Sequence, residues 1–320
     1  MSAPAWLHEA GGGVHTIDTG FVRDRFDAAY LIVRGGRAAY VDTGTNFALP
    51  RLLGALDALG LKREAVDWVI PTHVHLDHAG GVGALMRELP RATVLVHPRG
   101  LRHLVDPTAL YEGALAVYGP EEMARSYGQL VPVPAERVQP SSDGMTLEWS
   151  GSTLRLIDTP GHARHHHCIW DEATRGWFTG DTFGIAYPEF DGPQGRWIFP
   201  TSTPVQFEPD ALRESVQRLL QAEPRCMYLT HFGRVADVPR LAAVQFDLLD
   251  RTVALSQSLR YAPDRHRRLK DGLLSAYLES LAANGIAVAD DTVARLLAVD
   301  LELNAQGIAA WLDRDRRPRG

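Results

Sequence analysis

Two kinds of apolar spacing divide the chain. Up to about residue 235, short apolar runs rich in β-branched and aromatic residues alternate with Gly, Pro and Asp turns and with stretches of helical periodicity. The runs predicted to be buried strands are residues 30–33, 38–41, 68–70, 93–96, 154–157, 177–178 and 227–229. The predicted helices are residues 52–59, 82–89 and 211–220, the last starting near Pro209. This alternation is typical of packed α and β layers.

After about residue 238 the sequence contains few runs typical of strands. Apolar residues at helical spacing occupy residues 241–261, 267–283 and 291–313, with breaks at Pro263 and Gly285. We therefore expect two domains, one over residues 1–238 and an all-helical extension over residues 239–320.

Composition and charge limit the kinds of molecule that the protein is expected to bind. The 320 residues carry a formal net charge of -6, which argues against broad nucleic-acid binding because phosphate affinity depends on clustered Lys and Arg. The basic runs 265–268 and 314–319 are interpreted as solvated faces or a frayed tail. No apolar run approaches the ~18 residues of a membrane helix, and the start lacks signal-peptide features. We expect a small-molecule substrate, no nucleic-acid or membrane partner and a cytoplasmic location, with a homodimer among the open oligomeric states.

The strongest chemical signal is the run His73-Val74-His75-Leu76-Asp77-His78. In an extended segment alternate side chains share a face, so His73, His75 and Asp77 are expected to converge while His78 points elsewhere. This arrangement suits two metals, one taking the two histidines and the other the Asp-His pair. Gly80 and Gly81 are expected to permit a tight turn into the next helix. A chance match is on the order of one in a thousand, so the motif predicts a dinuclear metal site.

Two metal ions need more ligands than this run supplies, and three later segments can provide them. Each places a candidate just beyond the carboxyl end of a predicted strand, where α/β sheets form their sites. The candidates are His162, Asp181 and His231. A carboxylate such as Asp181 can bridge two cations because it has two oxygens. His166 is expected to orient a ligand imidazole or to form part of the pocket wall.

In this chain order the motifs resemble those of the metallo-β-lactamase superfamily over residues 14–235, and the early Tyr40-Val41-Asp42-Thr43-Gly44 is also similar. The resemblance implies an α/β fold, a four-layer αββα sandwich of two mixed sheets, as the catalytic domain. It implies that the C-terminal helices roof the site, as in glyoxalase II-like members. The implied ligands are His73, His75 and His162 for one metal and Asp77, His78 and His231 for the second, with Asp181 bridging and Asp42 beneath them.

The function that follows is that of a dinuclear metal-dependent hydrolase. Two divalent ions produce a bridging hydroxide at neutral pH, which is expected to attack the carbonyl of a small ester, lactone or thioester. Asp77 is expected to bind a metal and to take or return a proton. Imidazole and carboxylate ligands do not select one metal, so zinc is the default, with iron or manganese as alternatives.

Two rival functions stay open on the sequence. One is a mono-iron oxidoreductase resembling sulfur dioxygenases, and the other is a metal-containing metabolite sensor without turnover. Metal analysis and a broad substrate panel would separate them from a hydrolase.

A long aromatic connection over residues 182–206 follows Asp181, and connections of this length are usually functional or disordered. Phe183, Tyr187 and Trp197 are therefore expected to contact substrate, with simple packing as an equal alternative. The tyrosines of residues 99–130 are interpreted as core or pocket with equal weight. They are Tyr111, Tyr118 and Tyr127.

Overall fold

The computed structural model describes residues 4–202 and 205–314, and its backbone contacts divide into two compact units. Unit 1 comprises residues 1–158, 165–180 and 224–236, and unit 2 comprises residues 159–164, 181–223 and 237–320. Most of the basic run 314–319 lies outside the described residues. The predicted domain boundary near residue 238 lies next to residue 237, where the last segment of unit 2 begins. The division into a catalytic domain and a roofing extension stays a prediction.

Seven strands of unit 1 form a first sheet in chain order. Its first four strands pair antiparallel, and the fourth to seventh pair parallel. Parallel neighbours require crossover connections, which the helices between them supply. The strands are β1 (Leu7–Gly11), β2 (Val14–Asp18), β3 (Ala28–Arg34), β4 (Arg37–Val41), β5 (Val66–Ile70), β6 (Thr93–Val96) and β7 (Val138–Pro140).

The other six strands of unit 1 form a second sheet with the order β13-β12-β11-β10-β9-β8. Its only parallel pair in the described chain is β11 with β12. Both sheets are therefore mixed, as predicted. The strands are β8 (Thr146–Trp149), β9 (Ser152–Asp158), β10 (His167–Asp171), β11 (Gly176–Gly180), β12 (Cys226–Leu229) and β13 (Gly233–Val235).

Strand β3 shows how the core of unit 1 is built. Tyr30 and Ile32 pack with Leu154 and Phe178 of the second sheet, whereas Leu31 between them packs into a second core with the helices. Because alternate side chains of a strand face opposite sides, both faces of the first sheet are buried. A strand that is buried on both faces has a continuous apolar sequence, which explains why β3 could be predicted from the sequence.

Helices of unit 1 follow the strands of the first sheet. Side chains of α1, α3 and α4 enter the same core as Leu31. The helices are α1 (Leu49–Ala58), α2 (Leu76–Ala79), α3 (Val82–Glu88), α4 (Pro98–Val105) and α5 (Thr108–Glu122), which continues into a π-helical turn (Met123–Tyr127).

Unit 2 is helical in its described regular structure, apart from short 3₁₀ turns and isolated bridges, and this confirms the predicted C-terminal helices. The sequence pattern at 291–313 predicted one helix, but the structure ends a helix at Leu296 because Leu297, with φ -97° and ψ 11°, leaves helical geometry. The helices are α6 (Pro209–Leu220), α7 (Val238–Ser258), α8 (Arg265–Ala283), α9 (Asp290–Leu296) and α10 (Ala298–Arg314). Among the described helices, none has both the length and the apolarity to cross a membrane.

Candidate metal centre

The His73–His78 run leaves β5 through Pro71 and Thr72, and its second half is helical. The N–H groups of His78 and Ala79 both bond to the carbonyl of His75, at 3.1 and 2.8 Å, so helix α2 begins at Leu76. The prediction that Asp77 shares an extended face with both histidines is therefore wrong. A short helical turn carries Asp77 and His78 instead.

Gly80 and Gly81 form the predicted turn into the helix that begins at Val82. Their φ angles are -59° and -81°, so neither makes a left-handed turn. A Cβ on Gly80 would lie 3.3 Å from Cα of Thr45, and one on Gly81 would lie 2.9 Å from the Thr45 carbonyl oxygen. The two glycines permit the close approach of a second backbone segment.

Asp77, His78 and His231 bring three donor atoms together within unit 1. One carboxylate oxygen or ring nitrogen from each lies within 4.8 Å of the others. Nε2 of His78 is 4.0 Å from Oδ1 of Asp77, and Nε2 of His231 is 3.6 Å from Oδ2 of the same carboxylate. Both imidazoles are buried, whereas the Asp77 side chain is 27% exposed. A small molecule can therefore approach the group from the Asp77 side.

Hydrogen bonds through the other ring nitrogen orient both imidazoles. Nδ1 of His78 donates to Oδ2 of Asp42 at 2.9 Å, and Nδ1 of His231 donates to the carbonyl oxygen of Phe26 at 3.0 Å. Both partners are acceptors, so each Nδ1 carries the hydrogen and each Nε2 directs its lone pair towards Asp77. Histidine ligands of metals are typically held in this way. The residues present therefore fit a divalent cation.

Asp42 is the fully buried acceptor behind His78. Its Oδ1 accepts a hydrogen bond from the backbone N–H of Thr72 at 2.7 Å, and its Oδ2 accepts one from the hydroxyl of Thr230 at 2.7 Å. Thr72 precedes the histidine run and Thr230 precedes His231. One carboxylate thus joins the two segments that carry the donor group, whereas the place of Asp42 beneath the metals stays a prediction.

His73 and His75 form a second pair of donors. Nε2 of His73 lies 2.8 Å from Nδ1 of His75. Two converging imidazole nitrogens can share one proton or bind one cation. The ring of His166 stacks on His73 with 4.8 Å between centroids, so it contacts the pair. Its role in orienting a ligand imidazole stays a prediction.

Gly180, at the end of β11, leaves room for His166. Its φ is 47°, a conformation that favours glycine. A Cβ there would lie 2.5 Å from Oγ1 of Thr72 and 2.6 Å from Nε2 of His166. A larger residue would displace one of these side chains.

His162 and Asp181 belong to unit 2 and lie beside each other there. Nε2 of His162 is 3.4 Å from Oδ2 of Asp181, and both side chains are buried. The turn before His162 is pressed against α6, because a Cβ on Gly161 would lie 2.2 Å from the backbone nitrogen of Leu212. The assignment of these two residues to the same metals as His73, His75, Asp77, His78 and His231 stays a prediction of the motif.

Asp27 is a buried acidic group that the motifs did not reveal. Its Oδ2 accepts a hydrogen bond from the hydroxyl of Thr19 at 2.6 Å. Burial raises the pKa of Asp27 to about 7, and Asp77 adds to this shift while His231 and His78 oppose it. Asp27 therefore lies within the electrostatic field of the donor group. An acidic residue directly before an otherwise apolar strand was the signal that could have identified it.

His167 joins the two sheets next to the ligand run. Its backbone N–H donates to the Thr72 carbonyl at 2.9 Å and its Nε2 to the Pro71 carbonyl at 3.0 Å, while the Ser141 hydroxyl lies 2.8 Å from Nδ1. Burial lowers the pKa of His167 to about 3, so the ring is neutral. A neutral ring can donate through Nε2 and accept through Nδ1 at the same time.

Phe183, Tyr187 and Trp197 are all buried. The Tyr187 hydroxyl donates to Asp300 of α10 at 3.0 Å, and Nε1 of Trp197 donates to Ser280 of α8 at 3.0 Å. These are packing contacts within unit 2, so the structure favours the packing alternative. A role in substrate binding stays a prediction. Residues 203 and 204 of this connection lie outside the described residues.

Comparisons with known proteins match the chain to one family. A model described as "Metallo-beta-lactamase superfamily" matches residues 22–231. A metallo-beta-lactamase fold-containing protein from Sulfurisphaera tokodaii is 29% identical over 229 residues, which are 70% of this chain and 80% of that protein. A hydroxyacylglutathione hydrolase from Aeromonas hydrophila is 26% identical over 72% of each chain. An atrochrysone carboxyl ACP thioesterase from Emericella nidulans is 27% identical over 48% of this chain, which spans only 38% of that relative.

Solved structures show the same fold. A metallo-beta-lactamase superfamily protein from Sulfolobus tokodaii has a TM-score of 0.65 and 23% identity, covering 92% of this chain and 98% of that one. A family protein from Thermus thermophilus has a TM-score of 0.66 and 22% identity, covering 96% of this chain and 95% of that one. The predicted fold class, with two mixed sheets, helices and C-terminal helices, is confirmed.

Proposed function

The chain belongs to the metallo-beta-lactamase superfamily, and from that premise we propose that it is a metal-dependent hydrolase of a small-molecule ester, lactone or thioester. The observation that carries the proposal is the donor group of Asp77, His78 and His231, with both Nε2 atoms directed at one carboxylate. The relatives named as a hydroxyacylglutathione hydrolase and an acyl-carrier thioesterase support cleavage of a thioester or a related acyl bond.

Asp77, His78 and His231 would hold one divalent ion, and the converging pair His73 and His75 would supply ligands to another. Bound divalent ions acidify water and polarise the carbonyl that is attacked. We assign zinc by default, with iron or manganese as alternatives, because imidazole and carboxylate donors accept all three. His162 and Asp181 complete the proposed ligand set on the motif alone.

Asp77 has the exposure needed for proton transfer. Its side chain is 27% exposed, and its two oxygens face different imidazoles, at 4.0 and 3.6 Å. One oxygen can thus bind a cation while the other takes a proton from water or returns it to the leaving alcohol or thiol. The buried His78 and His231 have their Nδ1 atoms engaged with Asp42 and Phe26, so they hold position.

The test is the metal content of protein purified without added metal, followed by turnover of esters, thioesters, lactones and phosphodiesters in the best-occupied state. Two ions per chain and cleavage of a carboxylic ester or thioester are expected. One redox-active iron with thiol-dependent oxygen uptake would replace the hydrolase with an oxidoreductase. Full metal loading without turnover of any panel member would favour a sensor.

A further inference from the structure

A group of uncharged side chains lies beside the Asp77 segment in unit 1, and we call it the tyrosine cluster. Its members surround the buried residues Leu76, Met123 and Tyr127. The partly buried members are Phe21, Leu110, Tyr111, Ala114, Leu115, Tyr118 and Leu130. Their polar atoms are three tyrosine hydroxyls, so the cluster offers an apolar surface with a few hydrogen-bonding groups.

The tyrosine cluster is continuous with the donor group. Neighbouring rings lead from Tyr118 to Tyr127 (5.2 Å between centroids), Phe21 (5.5 Å), Phe26 (5.9 Å) and His231 (5.6 Å). The last two are also joined by the hydrogen bond from His231 Nδ1 to the Phe26 carbonyl. An unbroken series of ring contacts therefore joins the tyrosine cluster to the donor group.

A second connection runs through helix α2. Leu76 is a buried member of the cluster and directly precedes Asp77. Burial raises the pKa of Tyr127 well above its usual range, and Tyr118 and Asp77 add to this shift. The cluster therefore includes the residue that begins the helical turn carrying Asp77.

Helix α5 leaves its side of the cluster partly uncovered. Its sequence TALYEGALAVYGPEE is largely apolar, yet none of its residues is buried and Val117 is 42% exposed. The helix is interrupted at Gly119, with φ 79° and ψ 164°, and continues into the π-helical turn that carries Tyr127. Uncovered apolar surface and π-helical turns are both frequent at binding sites.

Charges around the cluster favour an uncharged ligand. Glu112, Glu121 and Glu122 lie on α5, and Asp77 directly follows Leu76, a buried member of the cluster. The cation of this segment, Arg125, forms an ion pair with Glu122. Arg23 lies over the ring of Phe26, at the donor-group end of the ring path, so the net negative charge lies on the α5 side. A carboxylate or phosphate tail would be disfavoured there, whereas an alkyl or aromatic group would not.

We propose that the tyrosine cluster binds the apolar acyl group of the substrate cleaved at the metal centre. The inference rests on the proposed hydrolase function and adds specificity for uncharged acyl groups of aromatic or medium-chain alkyl size. The carbonyl lies at Asp77, and the acyl group lies over Leu115 and Tyr118.

The test compares p-nitrophenyl acetate, octanoate and an octanoate ending in a carboxylate on metal-loaded protein. We expect kcat/KM for octanoate to exceed that for acetate by about 10- to 100-fold, because several methylenes enter an apolar site. The terminal carboxylate should remove most of this gain. Tyr118→Ala and Leu115→Ala should each lower the octanoate-to-acetate ratio by about 10-fold. Val299→Ala, an exposed apolar position on α10, is the matched control and should leave the ratio unchanged.

Binding of octanamide, which lacks the reactive ester, separates this inference from the hydrolase proposal. Calorimetric binding of octanamide that Tyr118→Ala weakens supports the cluster even if no ester is cleaved. Ester cleavage with equal kcat/KM for acetate and octanoate overturns the inference and leaves the hydrolase intact. Absence of both octanamide binding and acyl preference also overturns it.

Discussion

Nδ1 of His78 donates a hydrogen bond of 2.9 Å to the buried carboxylate of Asp42, which also accepts from Thr72 and Thr230. Asp42→Asn keeps the shape of the side chain but removes its charge. The new amide NH2 would face groups of His78, Thr72 and Thr230 that donate hydrogen bonds to the carboxylate. We expect metal affinity to fall about 10- to 100-fold, as for other groups that orient ligand histidines. Competition with a chromophoric chelator measures the change.

The matched control for Asp42→Asn is Asp57→Asn, because Asp57 is exposed near the end of α1. Its metal affinity should equal that of the unchanged protein. Metal affinity of Asp42→Asn within twofold of that value would show that the hydrogen bond to His78 does not orient a ligand.

Asp77→Ala removes the one partly exposed carboxylate of the donor group. We expect the variant to lose one metal ion and at least about 100-fold in kcat, because it lacks both a ligand and a proton acceptor. Metal analysis and steady-state kinetics measure the two losses. Asp247→Ala, at an exposed position on α7, serves as control. Full turnover with full metal content in Asp77→Ala would contradict the role assigned to Asp77.

Gly180→Ala and Gly144→Ala form an informative pair, since both glycines have positive φ, at 47° and 77°. A Cβ at residue 144 meets nothing within 4 Å, whereas one at residue 180 meets Thr72 and His166. Both should lose about 1 kcal/mol of unfolding free energy from backbone strain. Gly180→Ala should lose about 1 to 3 kcal/mol more from overpacking, measured by urea denaturation. Equal losses would mean that the space beside Gly180 is not confined.

His167 gives the fold a pH dependence. Its pKa is about 3 in the folded protein because of burial, against an ordinary value of 6.5. Between these values the unfolded chain binds the proton and the folded chain does not, so stability is complete above about pH 6.5 and falls as pH decreases towards 3.

His167→Gln keeps a donor for the Pro71 carbonyl and cannot titrate. In chelated protein, the slope of unfolding free energy against pH between 6 and 4 should therefore be smaller in the variant by roughly 1 kcal/mol per pH unit. Urea denaturation at several pH values measures both slopes. Parallel curves would show that His167 is not buried in its neutral form.

Tyr187→Phe distinguishes packing from substrate contact. Removing the hydroxyl leaves Asp300 without this hydrogen bond, and we expect a loss of about 1 to 3 kcal/mol in stability. If the residue only packs, kcat/KM should not change. Tyr261→Phe, at a 77% exposed position, should change neither quantity. A fall in kcat/KM without a fall in stability would restore Tyr187 as a pocket residue.

Seven of the thirteen described strands could be predicted because they are short apolar runs, among them the strands that contain Tyr30, Val69 and Phe178. The other six strands were not predicted. The candidate ligands could be predicted because their spacing is rare by chance. The helical turn that contains Asp77 could not be predicted, since four residues are too few to show a helical period. The break at Leu297 was missed because helical apolar spacing continues across it.

Partners distant in sequence account for what the motifs did not reveal. Asp42 meets Thr230 from 188 positions away, and His231 meets the Phe26 carbonyl from 205 positions away. No periodicity encodes such pairs, because they depend on how the two sheets face each other. Asp27 was missed for a different reason, since a lone acidic residue is usually solvated.

The hydrogen bonds of His167 to Pro71 and Thr72 couple metal binding to the stability of the two-sheet sandwich. The chain that leaves Thr72 carries the histidine run, so a cation bound there also resists the parting of the two sheets. By mass action, saturating metal should raise the melting temperature, and mutations that loosen the sandwich far from any ligand should weaken metal retention.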